Sequence, residues 1–394
     1  MKSKAMDISR YLGRPTWVEI DLSKLAANVR EFRRFLPANV QLLAVVKADA
    51  YGHGAYEVAC VALREGAAML GVASLEEGKS LREKSVSAPI LILGYTDPRQ
   101  NLSLLEMQLT PTIFNWETVA ALSQLAQARG KRVAVHVKLD TGMGRLGLNN
   151  PREALNFLER VAALPGVVLE GVYTHFAAAD EADPSFTHCQ LRVFKSILRA
   201  CREKKIQISL KHAANSAAAL EFPGAHFDLV RAGISLYGYY PVQNLQRERP
   251  RLLPVMSLKS RIVFLKKVPA GTPISYGGIY STPKETTIAT VALGYADGYN
   301  RLLSNRGAML VRGRRAPIAG RVCMDYTMLD VGEVLSAKEG DEVVAFGSQG
   351  HEEIRADELA RELGTISYEV LCNISKKVPR VYCQEGTVKN IKIF

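Results

Sequence analysis

Cysteine is sparse and unpatterned: Cys60, Cys189, Cys201, Cys323, Cys372 and Cys383 are the six in 394 residues, and no two fall in a Cys-x-x-Cys spacing. That excludes a zinc finger and a disulfide framework, and leaves reduced thiols expected mostly in the core. The seven histidines are scattered and no His-Glu-x-x-His occurs, so no metal site is expected. No apolar run approaches the ~18 residues of a membrane span, and the start Met1-Lys-Ser-Lys-Ala-Met-Asp7 lacks the apolar stretch of a signal peptide. A cytoplasmic protein without a membrane partner is the expectation. Acids are also short, 39 against 51 Lys plus Arg, for a net charge of +12. The surplus is spread thinly, and its tightest groups, Arg301 to Arg306 and Arg312-Gly-Arg-Arg315, carry no interleaved stacking aromatics. A nucleic-acid partner is therefore not expected; a basic surface attracts anionic small molecules equally well.

What is present is alternation. From Gln41 to about Gly233, short apolar runs at Leu42–Val46, Met69–Ala73, Ile90–Gly94, Pro111–Phe114, Val133–Leu139, Val167–Tyr173, Ile206–Ala213 and Asp228–Gly233 are separated by amphipathic stretches. In Trp116–Ala128 the residues Val119, Leu122 and Leu125 recur at helical spacing, and Ser185–Cys201 has a broad apolar face. Eight such units predict an α/β fold, a (β/α)8 TIM-type barrel. Trp17–Ile20 reads as a ninth strand outside it, and Asp21 as the N-cap of a helix carrying Leu22, Leu25, Val29, Phe32 and Leu36.

After Pro250 the pattern becomes β-rich, with strands expected at Leu258–Val268, Thr287–Leu293, Met309–Val311, Cys323–Val331 and Glu342–Phe346, and one helix at about Arg355–Leu363. The expected division is a barrel domain over 1–250 and a mainly β C-terminal domain over 251–394, joined by the polar linker Gln243–Arg251. Residues 1–20 are candidates for pairing with the second domain.

Chemistry concentrates at the carboxyl ends of the proposed barrel strands, where barrel enzymes build their sites. The segment Gln41-Leu-Leu-Ala-Val-Val-Lys47 ends a buried strand on a lysine, followed by Tyr51-Gly-His-Gly54. A lysine there is costly unless paired, neutral or covalently used. Lys138, Asp140 and Arg145 end the fifth strand; His175, His212 and Arg231 end later ones. Each alone reads as a satisfied structural group. A full rim of them does not.

The motifs Val46-Lys-Ala-Asp-Ala-Tyr-Gly-His-Gly54, Asp140-Thr-Gly-Met-Gly-Arg145, Tyr173-Thr-His-Phe-Ala177, Ala214-Asn-Ser216, Arg231-Ala-Gly-Ile234, Ser275-Tyr-Gly277, Gly294-Tyr-Ala-Asp-Gly298 and Cys323-Met-Asp325 resemble those of bacterial alanine racemases, from about Arg14 to Tyr382. The resemblance implies a pyridoxal 5'-phosphate (PLP) enzyme that interconverts L- and D-alanine and supplies D-alanine for peptidoglycan. Lys47 is implied as the Schiff-base lysine and one acid/base, Tyr276 as the second, contributed by the partner subunit of an obligatory homodimer with shared sites. Tyr51, His175, Asn215, Ser216, Arg231, Gly233, Ile234 and Tyr368 are implied cofactor contacts, with Ser216, the Gly233 and Ile234 amides, Tyr51 and Tyr368 on the phosphate. Arg231 would donate to an unprotonated pyridine nitrogen, weakening the electron sink and disfavouring transamination, with His212 holding it in place.

Arg145 and Met324 are implied carboxylate contacts for a small amino-acid substrate, and Tyr276, Tyr295, Met324 and Tyr368 limit its size. Asp325 and Arg321 belong to the access path or to a salt bridge. Lys138 carries a carbamate in many relatives; an unmodified lysine paired with Asp140 is the alternative. Lys376, at a position often aromatic, and Asp49, where Asn is frequent, depart from the common pattern and look peripheral to the chemistry. The alternative functions are a racemase of serine, lysine or ornithine, a barrel-type PLP decarboxylase, and a non-catalytic PLP-binding protein.

Overall fold

The computed structural model describes residues 13–241 and 249–393. Most of the expected linker lies outside the described residues. The first strand, β1 (Trp17–Asp21), leads into helix α1 (Leu22–Phe35). Asp21 accepts the amides of Ser23 and Lys24 at 2.9 and 3.0 Å, which is the N-cap its position suggests.

The chain groups into two compact units that do not follow chain order. One comprises Leu25–Ala50 and Ala55–Leu253. It contains β2 (Gln41–Val45), β3 (Met69–Val72), β4 (Ile90–Ile92), β5 (Thr110–Ile113), β6 (Val133–Lys138), β7 (Val167–Tyr173), β8 (Leu210–His212) and β9 (Leu229–Ala232). These form an eight-stranded parallel sheet in the order β8-β7-β6-β5-β4-β3-β2-β9. The seam between β9 and β8 is bridged by Asp228 N donating to Lys211 O and Arg231 N to Ala214 O, both at 3.0 Å. The result is a nearly closed TIM-like barrel. Helices α2 (Ala55–Arg64), α3 (Leu75–Glu83), α4 (Asn101–Glu106), α5 (Trp116–Ala128), α6 (Pro151–Ala162), α7 (Ser185–Glu203) and α8 (Ser216–Glu221) intervene. The strands are short and almost wholly buried, as parallel strands covered on both faces must be. The run Ile206–Ala213 is strand only over Leu210–His212, so its first half is connection.

The second unit runs from Pro254 onward and takes in the chain up to Lys24 and Tyr51–Gly54. The long strand β10 (Met256–Val268) lies between β1 and β13 (Glu342–Gln349). With β11 (Ala308–Val311), β12 (Arg314–Pro317), β14 (Arg380–Gln384) and β15 (Thr387–Lys392), the main path of the sheet is β12-β11-β13-β10-β1-β14-β15. β1 pairs antiparallel with β10 and parallel with β14. The helix foreseen near Arg355 is α9 (Ala356–Leu363); a further one, α10 (Ser367–Cys372), was not foreseen.

The cysteine expectation needs correction. Only Cys201 is buried; Cys60, Cys189 and Cys372 are exposed. Among the described residues no helix is long and apolar enough to cross a membrane.

Candidate active site

The rim begins where β2 ends. Lys47 is followed by four residues with left-handed backbone, Ala48, Asp49, Ala50 and Tyr51, at φ between 50 and 55°. Each non-glycine residue there costs roughly 1–2 kcal/mol, so the turn exists only because its surroundings hold it. The Glu77 carboxylate accepts from Ala48 N and from Ala73 N, both at 2.7 Å, tying the turn to the end of β3. Asp49 accepts Ala55 N at 2.8 Å at the start of α2. Asp49 thus helps brace the turn after Lys47. Glu77 was missed in the sequence. Its signal was Ser74-Leu-Glu-Glu77, a capping-box spacing in which Ser74 does accept Glu77 N, while the glutamate turns toward the rim.

Arg231 lies in β9, beside β2 through the register Leu43↔Arg231. The residue is 3 % exposed. It donates through Nη1 to His212 Nδ1 at 2.9 Å, and through Nη2 to Thr174 O at 2.8 Å, Ala213 O at 2.9 Å and His175 Nδ1 at 3.2 Å. Among the described residues no carboxylate is within ion-pair distance of it. Burial lowers its pKa to about 10, so it stays protonated at neutral pH. His212 is held well below its ordinary pKa by burial, then by Arg231 and His136, so it is neutral and accepts at Nδ1. The Tyr173 ring stacks on His212 at 4.6 Å with 5° between planes. The expectation that His212 positions Arg231 describes this geometry.

Lys138 ends β6, nearly buried, its amine 5.3 Å from the centre of the Tyr173 ring. Burial, then Arg145 and Arg231, push its pKa down to about 8. The alternative pairing with Asp140 is not observed as an ion pair. Asp140 instead accepts Gly142 N at 3.0 Å and Gly144 N at 3.1 Å, shaping the glycine loop that carries Arg145. Gly147 closes that loop at φ 123°, where a Cβ would sit 2.7 Å from Asp140 N.

At the adjoining strand ends, Asn215 caps α8 by accepting Ala218 N at 2.9 Å, which leaves Ser216 as its first residue. The Gly233 amide donates to Ser216 Oγ at 2.9 Å. The amide thus lies beside the hydroxyl that the resemblance implies on the phosphate. Ile234 opens the turn Ile234–Tyr237.

The other implied residues lie in the second unit. Tyr276 is 71 % exposed and follows Ser275, whose φ is 66°. Ser275 Oγ donates to Arg321 O at 2.7 Å and Arg321 Nε to Tyr276 O at 3.2 Å. Arg321 thus anchors the Tyr276 backbone and makes no ion pair with Asp325 among the described residues. Tyr295 N and Ala296 N donate to Cys323 O and Met324 O at 3.0 Å, so the Tyr276, Tyr295 and Met324 segments form one group with exposed side chains. Asp325 is exposed. Tyr51 and Tyr368 have ring centres 5.8 Å apart, and burial pushes the Tyr51 phenol strongly upward, keeping it a hydrogen-bond donor. Lys376 is exposed.

The barrel rim fits an anionic cofactor. Arg231, Lys138, Arg145 and Lys47 all act electrostatically on His175, lowering its pKa after burial itself. Asp140 opposes them at Lys138. Four cations, one of them a lysine on a braced turn, and a buried hydroxyl suit a phosphorylated aldehyde and a substrate carboxylate.

Comparison with known proteins agrees. Residues 20–241 match the family model "Alanine racemase, N-terminal domain", and residues 255–382 match "Alanine racemase, C-terminal domain". An alanine racemase of Desulforamulus reducens is 48 % identical, over 93 % of this chain and 99 % of that one. One from Methanococcus maripaludis is 42 % identical, over 93 % and 98 %. The solved alanine racemase of Clostridium difficile superposes with a TM-score of 0.92 at 39 % identity, over 96 % of this chain and 98 % of that one. That of Bacillus anthracis with bound L-Ala-P gives 0.90 at 40 %, over 96 % and 98 %. With both halves matched and near full-length relatives well above 30 % identity, the chain belongs to the alanine racemase family.

Proposed function

We infer that this protein is a PLP-dependent racemase interconverting L- and D-alanine, with a cofactor-binding barrel over 1–250 and a β domain over 251–394 that supplies Tyr276. The observation that carries this reading is Arg231, a buried cation fixed by neutral acceptors on the barrel rim. The cofactor, when bound, supplies an electrophile that withdraws electron density from the α-carbon of an attached amine.

The residues do the rest. Lys47 would hold the cofactor and, as a free amine, would move the α-proton on one face. Tyr276 of a second copy moves it on the other. Arg231, which keeps its proton at neutral pH, would donate a hydrogen bond to the ring nitrogen, and the shallower electron sink this leaves would favour return of the proton to the α-carbon. Ser216, Tyr51, Tyr368 and the Gly233 and Ile234 amides would hold the phosphate. Arg145 and Met324 receive the substrate carboxylate, and Tyr295 narrows the space for its side chain. The high exposure of Tyr276 in the single chain supports a homodimer with shared sites. A cytoplasmic location and a supply of D-alanine to peptidoglycan accord with this chemistry.

The test is α-proton exchange in deuterium oxide over a panel of L- and D-amino acids. Alanine should exchange and racemise well ahead of serine, lysine and ornithine; no exchange with either alanine enantiomer would overturn the reading. Lys47→Ala should lose both the visible absorbance of the bound cofactor and racemisation. Absorbance that survives removal of free cofactor would rule out Lys47 as the attachment point.

A further inference from the structure

Arg231 poses a question that its own contacts do not answer. An arginine 3 % exposed, whose guanidinium meets only neutral acceptors, carries an uncompensated charge in a low-dielectric interior, which ordinarily costs several kcal/mol. Compensation can come from farther away if a polarised chain of hydrogen bonds connects the cation to an acid.

Such a chain leads away from His212. His212 Nε2 is 2.8 Å from His136 Nδ1, and His136 Nε2 is 3.0 Å from Glu170 Oε2. Donor and acceptor capacities allow one assignment of the protons. Arginine can only donate, so His212 Nδ1 accepts and its proton sits on Nε2. His136 Nδ1 then accepts from that nitrogen, which places the His136 proton on Nε2, where it meets the carboxylate. Every link donates in the same direction, from cation to anion.

The backbone is built around this chain. The pairing of β6 with β7 shifts register between Val135 and His136. Opposite the shift stands Gly171, where a Cβ would lie 2.6 Å from the His136 ring. The imidazole thus occupies the space of a side chain at 171, and His136 itself is fully buried. The Glu170 side chain is 32 % exposed, so the acid ends the chain at solvent, where its charge is cheap to keep. His136 lies two residues before Lys138 at the strand end, and Glu170 three before Tyr173. Both precede the strand-end residues that form the rim.

We propose that Glu170 is the remote counter-charge of Arg231, transmitted through His136 and His212, and that Glu170 and His136 are positioning residues that fix the direction in which Arg231 donates. The role in catalysis rests on the reading that Arg231 faces the cofactor ring.

The experiment uses the full-length holoenzyme labelled with 15N-histidine. Wild type should show His136 and His212 both neutral and protonated on Nε2. Glu170→Leu removes the acceptor of the His136 Nε2 proton, should shift the His136 15N signals more than those of His212, and should lower kcat about five-fold, the net worth of roughly one hydrogen bond, with KM changed less than about two-fold. Glu170→Gln keeps the shape and one acceptor, should give a smaller fall of the same sign, and serves if the leucine variant does not fold. A proton on Nδ1 of either ring in wild type overturns the proposal, as does unchanged kcat in the variants. If wild type itself fails to racemise alanine, the functional reading falls, while the tautomers still decide whether the relay exists.

Discussion

Burial acts on Lys138 and on Arg231 in the same direction with different consequences. Arg231 falls to about 10 and remains a cation; Lys138 falls to about 8, first by burial and then through Arg145 and Arg231, so a useful fraction of its amine is neutral near physiological pH. A neutral amine attacks CO2, forming an N–C bond and releasing one proton, and the resulting carbamate would set a negative charge among these cations. The unmodified amine makes the opposite prediction for stability. Its folded pKa is depressed below 10.5, so the charged form is penalised by folding below pH 8, and the penalty fades as pH rises from 8 to 10.5. In CO2-free buffer at pH 7, Lys138→Met should therefore be more stable than wild type by about 1–3 kcal/mol, a gap that closes at high pH. In bicarbonate the sign should reverse, with a 13C carbamate signal in wild type that the variant lacks. A variant less stable in both buffers would disprove the penalty.

At the scale of elements, the barrel strands were legible because most are short apolar runs set off by helical stretches, whereas β8 (Leu210-Lys-His212) is strand over only part of its run. Two devices were not legible, for definite reasons. The left-handed turn after Lys47 is built on Ala48, Asp49 and Ala50, residue types with no preference strong enough to announce it, and its brace Glu77 lies 29 residues along the chain. The apolar run around His136 read simply as strand. Its partner His212 is 76 residues away, and the β6–β7 register shift at His136 has no local signature. The turn can be tested directly. Ala48 is exposed, so its methyl contributes little packing, while its φ of 53° is strained. Ala48→Gly should stabilise the protein by about 1 kcal/mol in urea denaturation, the reverse of the usual sign for an alanine-to-glycine change. Destabilisation would mean that the left-handed turn is not the solution conformation. Glu77→Ala removes two charge-assisted bonds from a half-exposed carboxylate and should cost about 1–2 kcal/mol.

For the whole molecule, the informative fact is that the two proposed acid/base groups belong to different units, Lys47 to the barrel and Tyr276 to the β-rich unit, with the tyrosine exposed. A homodimer with exchanged contributions makes a sharp prediction. Lys47→Ala and Tyr276→Phe should each be nearly inactive alone, the tyrosine variant losing proton exchange in one direction far more than in the other. Mixed under conditions that let subunits exchange, about half the dimers become hybrids. Each hybrid has one site with both native groups and one with neither, so activity should recover to about a quarter of wild type. Cross-linking the pure variants before mixing should abolish recovery. If each chain completes its own site, every site in the hybrid stays damaged and no recovery appears at any ratio. The two arrangements are thus separated by a rate measurement, with sedimentation velocity showing that the hybrids have formed.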